Sequence, residues 1–284
     1  ALEREIGALP GVKEIRGQGL MLGIELTKPC GVIMNRALEK GLLLSVTADS
    51  VIRLVPPLIL NTAEADEIVG EMPGISYNVA PTQPIAILVD RALEKDSDGL
   101  PVGDLRREFH AARWGLLPRW SKGPGEGAPL INGRIETILE KPSFKDSVVR
   151  RRCVIPASGY YEWQVASDGT KQPFYIHAGD EGMFALAGLY EWWKNPADGQ
   201  WLLSATTLTK DTAPELAHIH DRNPVLLTPE TLDAWIDPHN LGDLELLNAV
   251  ATESDLVAGE VEFHKVGTAV GAVKNNGPEL ILPL

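Results

Sequence analysis

Three short strings in the second half of the 284-residue sequence place a proton-handling side chain in an apolar or tightly turned stretch. They are Ile-Asn-Gly-Arg at 131–134, Gly-Tyr-Tyr-Glu-Trp at 159–163 and His-Ile-His-Asp-Arg at 218–222. Glu162 follows two tyrosines and precedes a tryptophan, which predicts a raised carboxyl pKa and a group able to act as an acid and then as a base. His220 stands beside Asp221 and Arg222, so a neighbouring charge is expected to fix its tautomer.

Each of these residues also has a purely structural interpretation. Glu162 could occupy the solvent face of an alternating strand, and His220 could be a turn or capping histidine. Asn132 offers both a donor and an acceptor, and Gly133 allows the backbone to approach a ligand closely. Asn78, which precedes Val-Ala-Pro, fits a structural turn better than a binding site.

The sequence predicts no metal and no cofactor. Its six histidines are dispersed, and neither Cys30 nor Cys153 has a partner at ligand spacing. The sequence contains neither a phosphate-binding loop nor a serine nucleophile elbow. The chemistry must therefore come from ordinary side chains.

The composition is that of a globular protein, with 44% hydrophobic and 23% charged residues. No apolar run approaches the ~20 residues of a membrane span, so no membrane partner is expected. The first residues lack the basic start and apolar core of a signal peptide. Two cysteines are too few for a disulfide framework, which favours a reducing cytoplasm.

The net charge of −13 argues against non-specific DNA binding by the chain as a whole, but the charge is unevenly distributed. Residues 106–152 contain 11 Lys and Arg against 5 Asp and Glu. Scattered solvated charges would explain this window equally well on charge alone. A basic face on an acidic protein would matter for contact with phosphates, because the local field decides such binding.

From Ile75 onward, short apolar segments alternate with Gly, Pro and polar turns, which predicts a strand-rich domain. Strands are expected at 86–90, 109–117, 152–157, 159–164, 173–178, 184–193 and 201–209. Helices are expected near 138–150, 211–219 and 228–236, with Thr228 capping a turn before Pro229. The fold class is therefore α+β, built on a mixed and strongly curved β-sheet.

Residues 1–70 differ from this pattern, because helices are expected at their start, at 30–41 and at 61–72. A Gly-punctuated turn from Val12 leads into a strand at 20–26, and a second strand spans 50–60. The strings IRGQGLMLGIEL and VIRLVPPLIL resemble the C-terminal domain of class-III aminotransferases of the acetylornithine type. The resemblance implies that Arg53 once bound a substrate carboxylate. Because the large domain that holds pyridoxal phosphate is absent from the sequence, we expect Arg53 to be vestigial and no pyridoxal phosphate to bind.

The ordered strings SYNVAPTQ, INGRIET, RCVIPASGYYEW, HIHDRNP and VKNNGPELI, spread over 73–284, resemble the SRAP family of SOS-response-associated peptidases. These proteins crosslink to abasic sites in single-stranded DNA through an N-terminal cysteine, which forms a thiazolidine with the sugar aldehyde. The resemblance implies that Asn132 holds the nucleophile, that Glu162 transfers protons and positions its amine, and that His220 opens the sugar ring. It also implies a DNA path lined by Asn78, Pro81, Trp120, Arg134 and Arg222. Cys153 matches a strand cysteine of the family and is expected to be buried and inert.

The Cys-Gly-Arg string that carries the family nucleophile does not occur in the sequence. We therefore expect an aminotransferase-like fragment at 1–72 and a SRAP-like domain at 73–284 that lacks its first ~35–40 residues. The predicted function is abasic-site processing on single-stranded DNA, with an associated autopeptidase activity. The alternatives are a non-catalytic single-stranded-DNA binding module and, least favoured, a pyridoxal-phosphate-dependent acetylornithine transaminase.

Overall fold

The computed structural model of the chain describes residues 12–18, 21–27, 45–47, 51–54, 73–179 and 182–284. The chain divides into two compact units, Ala1–Gly74 and Ile75–Leu284. The helices expected at the start of the chain, at 30–41 and at 61–72 lie outside the described residues. None of the described helices is long and apolar enough to cross a membrane.

The described part of the first unit is a four-stranded antiparallel sheet. Its strands are β1 (Val12–Gln18), β2 (Met21–Leu26), β3 (Ser45–Thr47) and β4 (Val51–Leu54), in the order β1-β2-β4-β3. The prediction of a turn from Val12 was wrong, because these residues form strand β1, which pairs with β2 from Gln18↔Met21 to Val12↔Leu26. Buried Ile24 lies on β2, where the apolar strand was expected.

The second unit is dominated by strands. They are β5 (Pro84–Lys95), β6 (Pro101–Trp114), β7 (Asn132–Arg134), β8 (Arg152–Ala157), β9 (Gly159–Val165), β10 (Lys171–His177), β11 (Phe184–Lys194), β12 (Trp201–Asp211), β13 (Arg222–Pro224) and β14 (Glu262–Lys265). All seven expected strands are present; β5 begins earlier and ends later than predicted, and β6 begins earlier but ends at Trp114. They form one long hairpin closed by a turn at Asp96, whose carboxylate accepts from the N–H groups of Asp98 and Leu100.

The seven-stranded sheet is mixed and curves until it closes. Its order is β11-β8-β5-β6-β12-β13, and β11 also pairs with β12, so that five strands form a ring. The β6–β12 and β7–β12 pairings are parallel and the others are antiparallel. The expected mixed, strongly curved sheet of an α+β protein is confirmed.

Alternating residues of β8 show how the ring is packed. Cys153 and Ile155 lie in one apolar cluster with Ile87, whereas Val154 joins a second cluster that contains Trp235. Three described α-helices supply side chains or contacts to that second side: α1 (Lys145–Arg150), α2 (Pro229–Ile236) and α3 (Leu244–Ala258). Cys153 is fully buried, as predicted, and burial raises the pKa of its thiol.

Helix α2 begins as expected, since the Thr228 hydroxyl accepts from Thr231 N–H at 3.1 Å and Pro229 follows it. Of the helix expected at 138–150, only α1 at its C-terminal end is present, and residues 138–140 and 142–144 form turns. Pro142 explains the interruption, because it has no N–H to donate and disfavours a helical residue before it.

The prediction of a helix at 211–219 was wrong. Residues 214–219 form successive turns, with Ile219 N–H donating to Leu216 O at 2.8 Å. Strand β12 continues to Asp211, and the N–H of Ala213 is taken by the side chain of Asn223 at 2.9 Å. A regular helix has no room to begin before Pro214.

A three-stranded antiparallel sheet, ordered β14-β10-β9, completes the unit. The register pairs Glu162 with Phe174 and Tyr160 with Ile176. Because side chains alternate along a strand, Tyr160, Glu162 and Gln164 lie on one face of β9, and Tyr161 and Trp163 lie on the other.

Candidate functional site

The first face of β9 packs against the loop between β12 and β13. Tyr160, Phe174 and Ile176 contact Leu216 and Ile219 of that loop in one apolar cluster. Further along β9, the Gln164 amide donates to His218 O at 2.7 Å. Glu162 lies between these contacts, so the loop that carries His220 is fastened on both sides of the carboxylate.

Glu162 and His220 are brought together by this packing. The Glu162 Oε2 and His220 Nδ1 atoms are 3.8 Å apart, and the two side chains are 23% and 41% exposed. Burial raises the pKa of Glu162 to about 6, with the charge of His220 lowering it and that of Asp221 raising it. The raised pKa was expected from the neighbouring aromatics, but Tyr161 and Trp163 lie on the opposite face with Tyr175 and Val266. On the carboxylate side, the residues that pack on this face of β9 include Leu216 and Ile219 of the loop.

The loop also supplies hydrogen-bond partners for His220 Nδ1. The backbone N–H of Arg222 donates to His220 Nδ1 at 3.1 Å, so a neutral ring carries its proton on Nε2. In the protonated ring, Nδ1 carries a proton, and the oxygen atoms around it are Arg222 O at 3.2 Å, Asp221 Oδ1 at 3.3 Å and Glu162 Oε2 at 3.8 Å. When the pair exchanges a proton with a bound group, a charge left on Glu162 or His220 therefore still has a polar partner close by.

A buried hydroxyl lies on the same face of β9. Tyr160 Oη is inaccessible to solvent and has no hydrogen-bond partner among the described residues. Burial raises the pKa of Tyr160, and the charge of Glu162 two positions away adds to that effect. Tyr160 thus stays neutral around pH 7 and adds no charge to the face of β9 that carries Glu162.

Asn132 and Arg134 lie on β7, which pairs with β12 through Thr207↔Asn132 and Thr209↔Arg134. Both side chains are exposed, and the intervening Gly133 is buried. A Cβ atom at Gly133 would lie 2.7 Å from Ile138 Cδ1 and 3.3 Å from Leu208 Cδ2. The glycine therefore lets β7 lie flat on the core while its neighbours on either side remain exposed.

Arg222 connects β7 with the histidine loop. Its guanidinium donates to Glu136 Oε1 and Oε2 at 3.0 and 2.9 Å, to Asp211 at 2.6 Å and to Thr209 O at 2.8 Å. Sequence reasoning did not single out Glu136, although it stands in the INGRIET string. The predicted contact of Arg222 with DNA stays a prediction, and the side chain is only 15% exposed.

Asn78 is fixed within the protein. Its amide nitrogen donates to the carbonyls of Val270, Ala272 and Asn275 at 3.0–3.3 Å, so only its side-chain oxygen is left for a ligand. Asn276 Oδ1 in turn accepts from the N–H groups of Tyr77 and Asn78 at 2.6 and 3.1 Å. The first and last family strings are thus bound to each other, and the predicted contact of Asn78 with DNA is not tested.

Pro81 and Trp120 are both solvent-exposed, as a ligand contact requires. Pro81 is followed by Thr82, which has a φ of 77° in a turn closed by Gln83 N–H and Ala80 O at 3.1 Å. Positive φ is unusual for a β-branched residue. Trp120 is 69% exposed, in the loop after β6.

The basic window does not form a continuous face. Arg152 is 2% exposed and donates to five backbone carbonyls, and Arg107 binds Asp90 and Asp233. Arg119 and Arg151 share the buried Glu191. Arg134 has no carboxylate partner among the described residues, which leaves it available for a phosphate. The basic face expected across 106–152 is corrected to a small number of free cations.

The side chain of Arg53 lies outside what the structure describes, although its backbone belongs to β4 opposite Gly23 and Ser45. Its vestigial role stays a prediction. The described residues contain no group of three or more His, Cys, Asp or Glu that could hold a metal ion.

Residues 55–273 match the family model described as SOS response associated peptidase (SRAP). The chain belongs to the SRAP family. A separate model, aminotransferase class-III, matches residues 1–75. The two matches overlap at 55–75, on either side of the division between the two units.

Relatives within the SRAP family are named for abasic-site processing. Abasic site processing protein YoqW of Bacillus subtilis is 39% identical over 206 residues, covering 72% of this chain and 85% of that protein. Abasic site processing protein HMCES of Gallus gallus is 29% identical over 233 residues, covering 74% and 66%. A crystal structure of a protein from Bacteroides thetaiotaomicron has a TM-score of 0.53 at 25% identity, covering 62% of this chain and 77% of that one.

Proposed function

We propose that this SRAP chain processes abasic sites in single-stranded DNA, with Glu162 and His220 as its acid–base pair. The observation that carries the proposal is the 3.8 Å approach of Glu162 to His220, combined with a Glu162 pKa of about 6. A group whose pKa lies close to neutrality can both donate and accept a proton at useful rates. The abasic-site processing of the relatives supplies the class of substrate.

The open-chain form of an abasic sugar is an aldehyde, which an amine attacks with loss of water to give an imine. In the SRAP chemistry implied by the resemblance, a thiol on the same residue then adds to the imine carbon and its proton passes to nitrogen. The thiazolidine forms with water as the only leaving group and without any oxidant. We assign ring opening and its reversal to His220, and proton transfer and amine positioning to Glu162.

The proposed DNA path uses exposed residues that the family resemblance assigns to it. Arg134 supplies a free guanidinium for a phosphate, and Trp120 supplies an aromatic surface for an unstacked base. Asn132 lies on the same side of β7 as Arg134 and is assigned to hold the nucleophile end. Pro81, Asn78 and Arg222 border the path in the proposal, with Arg222 also keeping β7 and the histidine loop together through Glu136.

The nucleophile is the part of the site that the described residues do not supply. Cys153 is fully buried within the ring of strands, and Cys30 lies outside the described residues. A thiazolidine requires an amine and a thiol on one residue. We propose that the chemistry needs an N-terminal Cys-Gly-Arg segment next to Asn132, together with the autopeptidase step of the family that exposes it. A reducing cytoplasm, which keeps such a thiol reduced, is the proposed location.

The test is covalent capture of single-stranded DNA that carries one abasic site, read on a denaturing gel. A polypeptide with the sequence from Ala1 to Leu284 is compared with one in which a Met-Cys-Gly-Arg segment of the family type replaces residues 1–72. We expect a heat-stable adduct only with the second polypeptide. Asn132→Ala and His220→Asn in that background should slow adduct formation, and Cys153→Ser should not.

Two outcomes would contradict this proposal. A stable adduct from the first polypeptide that survives Cys153→Ser would assign the reaction to another amine. DNA binding without any adduct from the second polypeptide would favour the alternative, a binding module without covalent chemistry.

A further inference from the structure

Three of the seven tryptophans lie at the surface of the second unit rather than in its core. Trp120, Trp192 and Trp201 are 69%, 40% and 60% exposed, whereas Trp193 and Trp235 are 4% and 0% exposed. Indole rings left in water at this extent are unusual unless they serve a contact.

Two of these indoles lie at the end of the β11–β12 hairpin with a lysine between them. Lys194 is paired with Trp201 across the hairpin, and Trp192 lies two positions before Lys194 on the same face. The Lys194 ammonium lies 5.5 Å from the centre of the Trp201 ring. An open depression of about 570 Å³ is lined by Arg119, Trp192, Lys194 and Trp201.

The same hairpin fastens the loop that carries Trp120. Trp193, on the opposite face of β11, donates its indole N–H to Ser121 O at 2.8 Å. Glu191 accepts from Arg119 at 2.9 Å while it also pairs with Arg151 at 2.8 Å. The depression therefore shares Arg119 with the loop of Trp120, and the contacts of Trp193 and Glu191 hold that loop on the hairpin.

We propose that Arg119, Trp192, Lys194 and Trp201 form a second stacking site for single-stranded nucleic acid, beyond the lesion-binding residues. The inference rests on the proposed function, because it extends the DNA path from Trp120. Flat aromatic faces next to cations are the arrangement that binds bases and phosphates together without regard to sequence. The charges agree with this occupant, since Glu191 is buried between two guanidinium groups and Lys194 has no carboxylate partner among the described residues.

The experiment measures binding of fluorescent single-stranded oligonucleotides that carry a central tetrahydrofuran, a stable abasic analogue. A 6-mer covers the lesion site alone, and a 20-mer also extends over the second site. We expect the double substitution Trp192→Ala and Trp201→Ala to weaken binding of the 20-mer about tenfold or more and to leave binding of the 6-mer unchanged. Each lost stacking contact lowers the affinity by about 5- to 100-fold. Leu256→Ala, another exposed apolar side chain on α3, is the matched control.

The salt dependence of binding tests the contribution of Lys194 separately. Lys194→Ala should reduce the slope of log affinity against log salt by about 0.7 for the 20-mer, as expected for one lost phosphate contact. Lys171→Ala, at an exposed position that begins β10, should leave the slope unchanged. Trp192→Phe and Trp201→Phe should retain most of the affinity, which separates stacking from a folding defect.

Arg134→Ala separates the two proposals. If the lesion path is correct, the substitution should weaken binding of both the 6-mer and the 20-mer. If it changes the affinity for neither, that result counts against the lesion path and not against the second site. The second site is overturned if the double tryptophan variant binds the 20-mer like the parent, or if it loses the 6-mer and the 20-mer equally. It is also overturned if the parent self-associates in sedimentation and the variant does not.

Discussion

Glu108 on β6 and Glu162 on β9 are both largely buried carboxylates on strands, yet their pKa values move in opposite directions. Burial alone would raise the pKa of Glu108, but side-chain hydrogen bonds from Arg91, Arg106 and His110 lower it to about 2. No such set of donors surrounds Glu162 in the part of the chain that the structure describes, so burial prevails and its pKa rises to about 6. The comparison shows that hydrogen-bond donors around a carboxylate can reverse the effect of burial, which separates a structural carboxylate from one prepared to exchange protons.

Replacing each glutamate by glutamine should affect capture of abasic DNA very differently. In the polypeptide that carries the Cys-Gly-Arg segment, Glu162→Gln should slow adduct formation by about 10²–10⁴-fold, which is the usual contribution of a positioned acid or base. Glu108→Gln should leave the rate unchanged at a temperature where the protein is folded. Single-turnover gels at fixed DNA concentration measure both rates, and equal losses would abolish the distinction between the two carboxylates.

The same two substitutions should change stability in opposite senses. Ionised Glu108 stabilises the folded state above its unfolded pKa, and that contribution is lost as the pH falls towards 2, so Glu108→Gln should cost about 1–3 kcal/mol at pH 7. Ionised Glu162 destabilises the folded state as the pH rises from about 4.5 to 6, so Glu162→Gln should add about 1–2 kcal/mol at pH 7. Urea unfolding at pH 4 and pH 7 tests the signs, and a destabilised Glu162→Gln variant at pH 7 would be the contrary result.

Gly133→Ala should disturb the site from the core side of β7. The new methyl group would meet Ile138 Cδ1 at 2.7 Å and should cost about 1–3 kcal/mol while displacing Asn132 and Arg134. Gly271→Ala is the control, since a Cβ there has no neighbour within 4 Å. Thermal unfolding and the rate of adduct formation are measured on both. If the Gly133 variant matched the Gly271 variant, β7 would not depend on that close approach.

The smallest expected effect concerns the neighbours of Glu162. Because the charge of His220 lowers the pKa of Glu162 and that of Asp221 raises it, His220→Asn should move the titration to higher pH and Asp221→Asn to lower pH. Carboxyl-detected NMR of isotope-labelled glutamate follows the titration directly. Shifts in the same direction would mean that burial changes, rather than these two charges, dominate the local field.

Much of the strand pattern could be predicted because it depends on local alternation and turn residues. Helices were harder. Arg-Ala-Leu-Glu-Lys at 91–95 is an ordinary helix string, but it extends β5 because the turn at Asp96 pairs it with β6. Helix α3 was not predicted, although Asp243 caps it and Leu247, Val250 and Ala258 repeat at helical spacing on its buried side.

The site could be predicted only in part. The strings around Asn132, Glu162 and His220 identified the residues, but sequence alone could not show that the loop of Leu216 and Ile219 packs on the face of β9 that carries Glu162. Nor could the sequence show that the guanidinium of Arg152 is buried and donates to backbone carbonyls instead of facing solvent. Gln164, which fixes the histidine loop through His218, had no signal beyond its position two residues after Glu162.

The closure of the ring has a consequence for how the protein is made. Arg113 of β6 pairs with Ser204 of β12, 91 positions later in the chain. A ribosome adding about 5–20 residues per second takes roughly 5–20 s to cover that interval. During this time the β5–β6 hairpin exists without its last neighbour and keeps an open edge of unpaired backbone groups. A nascent-chain arrest series should therefore show protease resistance appearing in one late step, after β12 has left the exit tunnel.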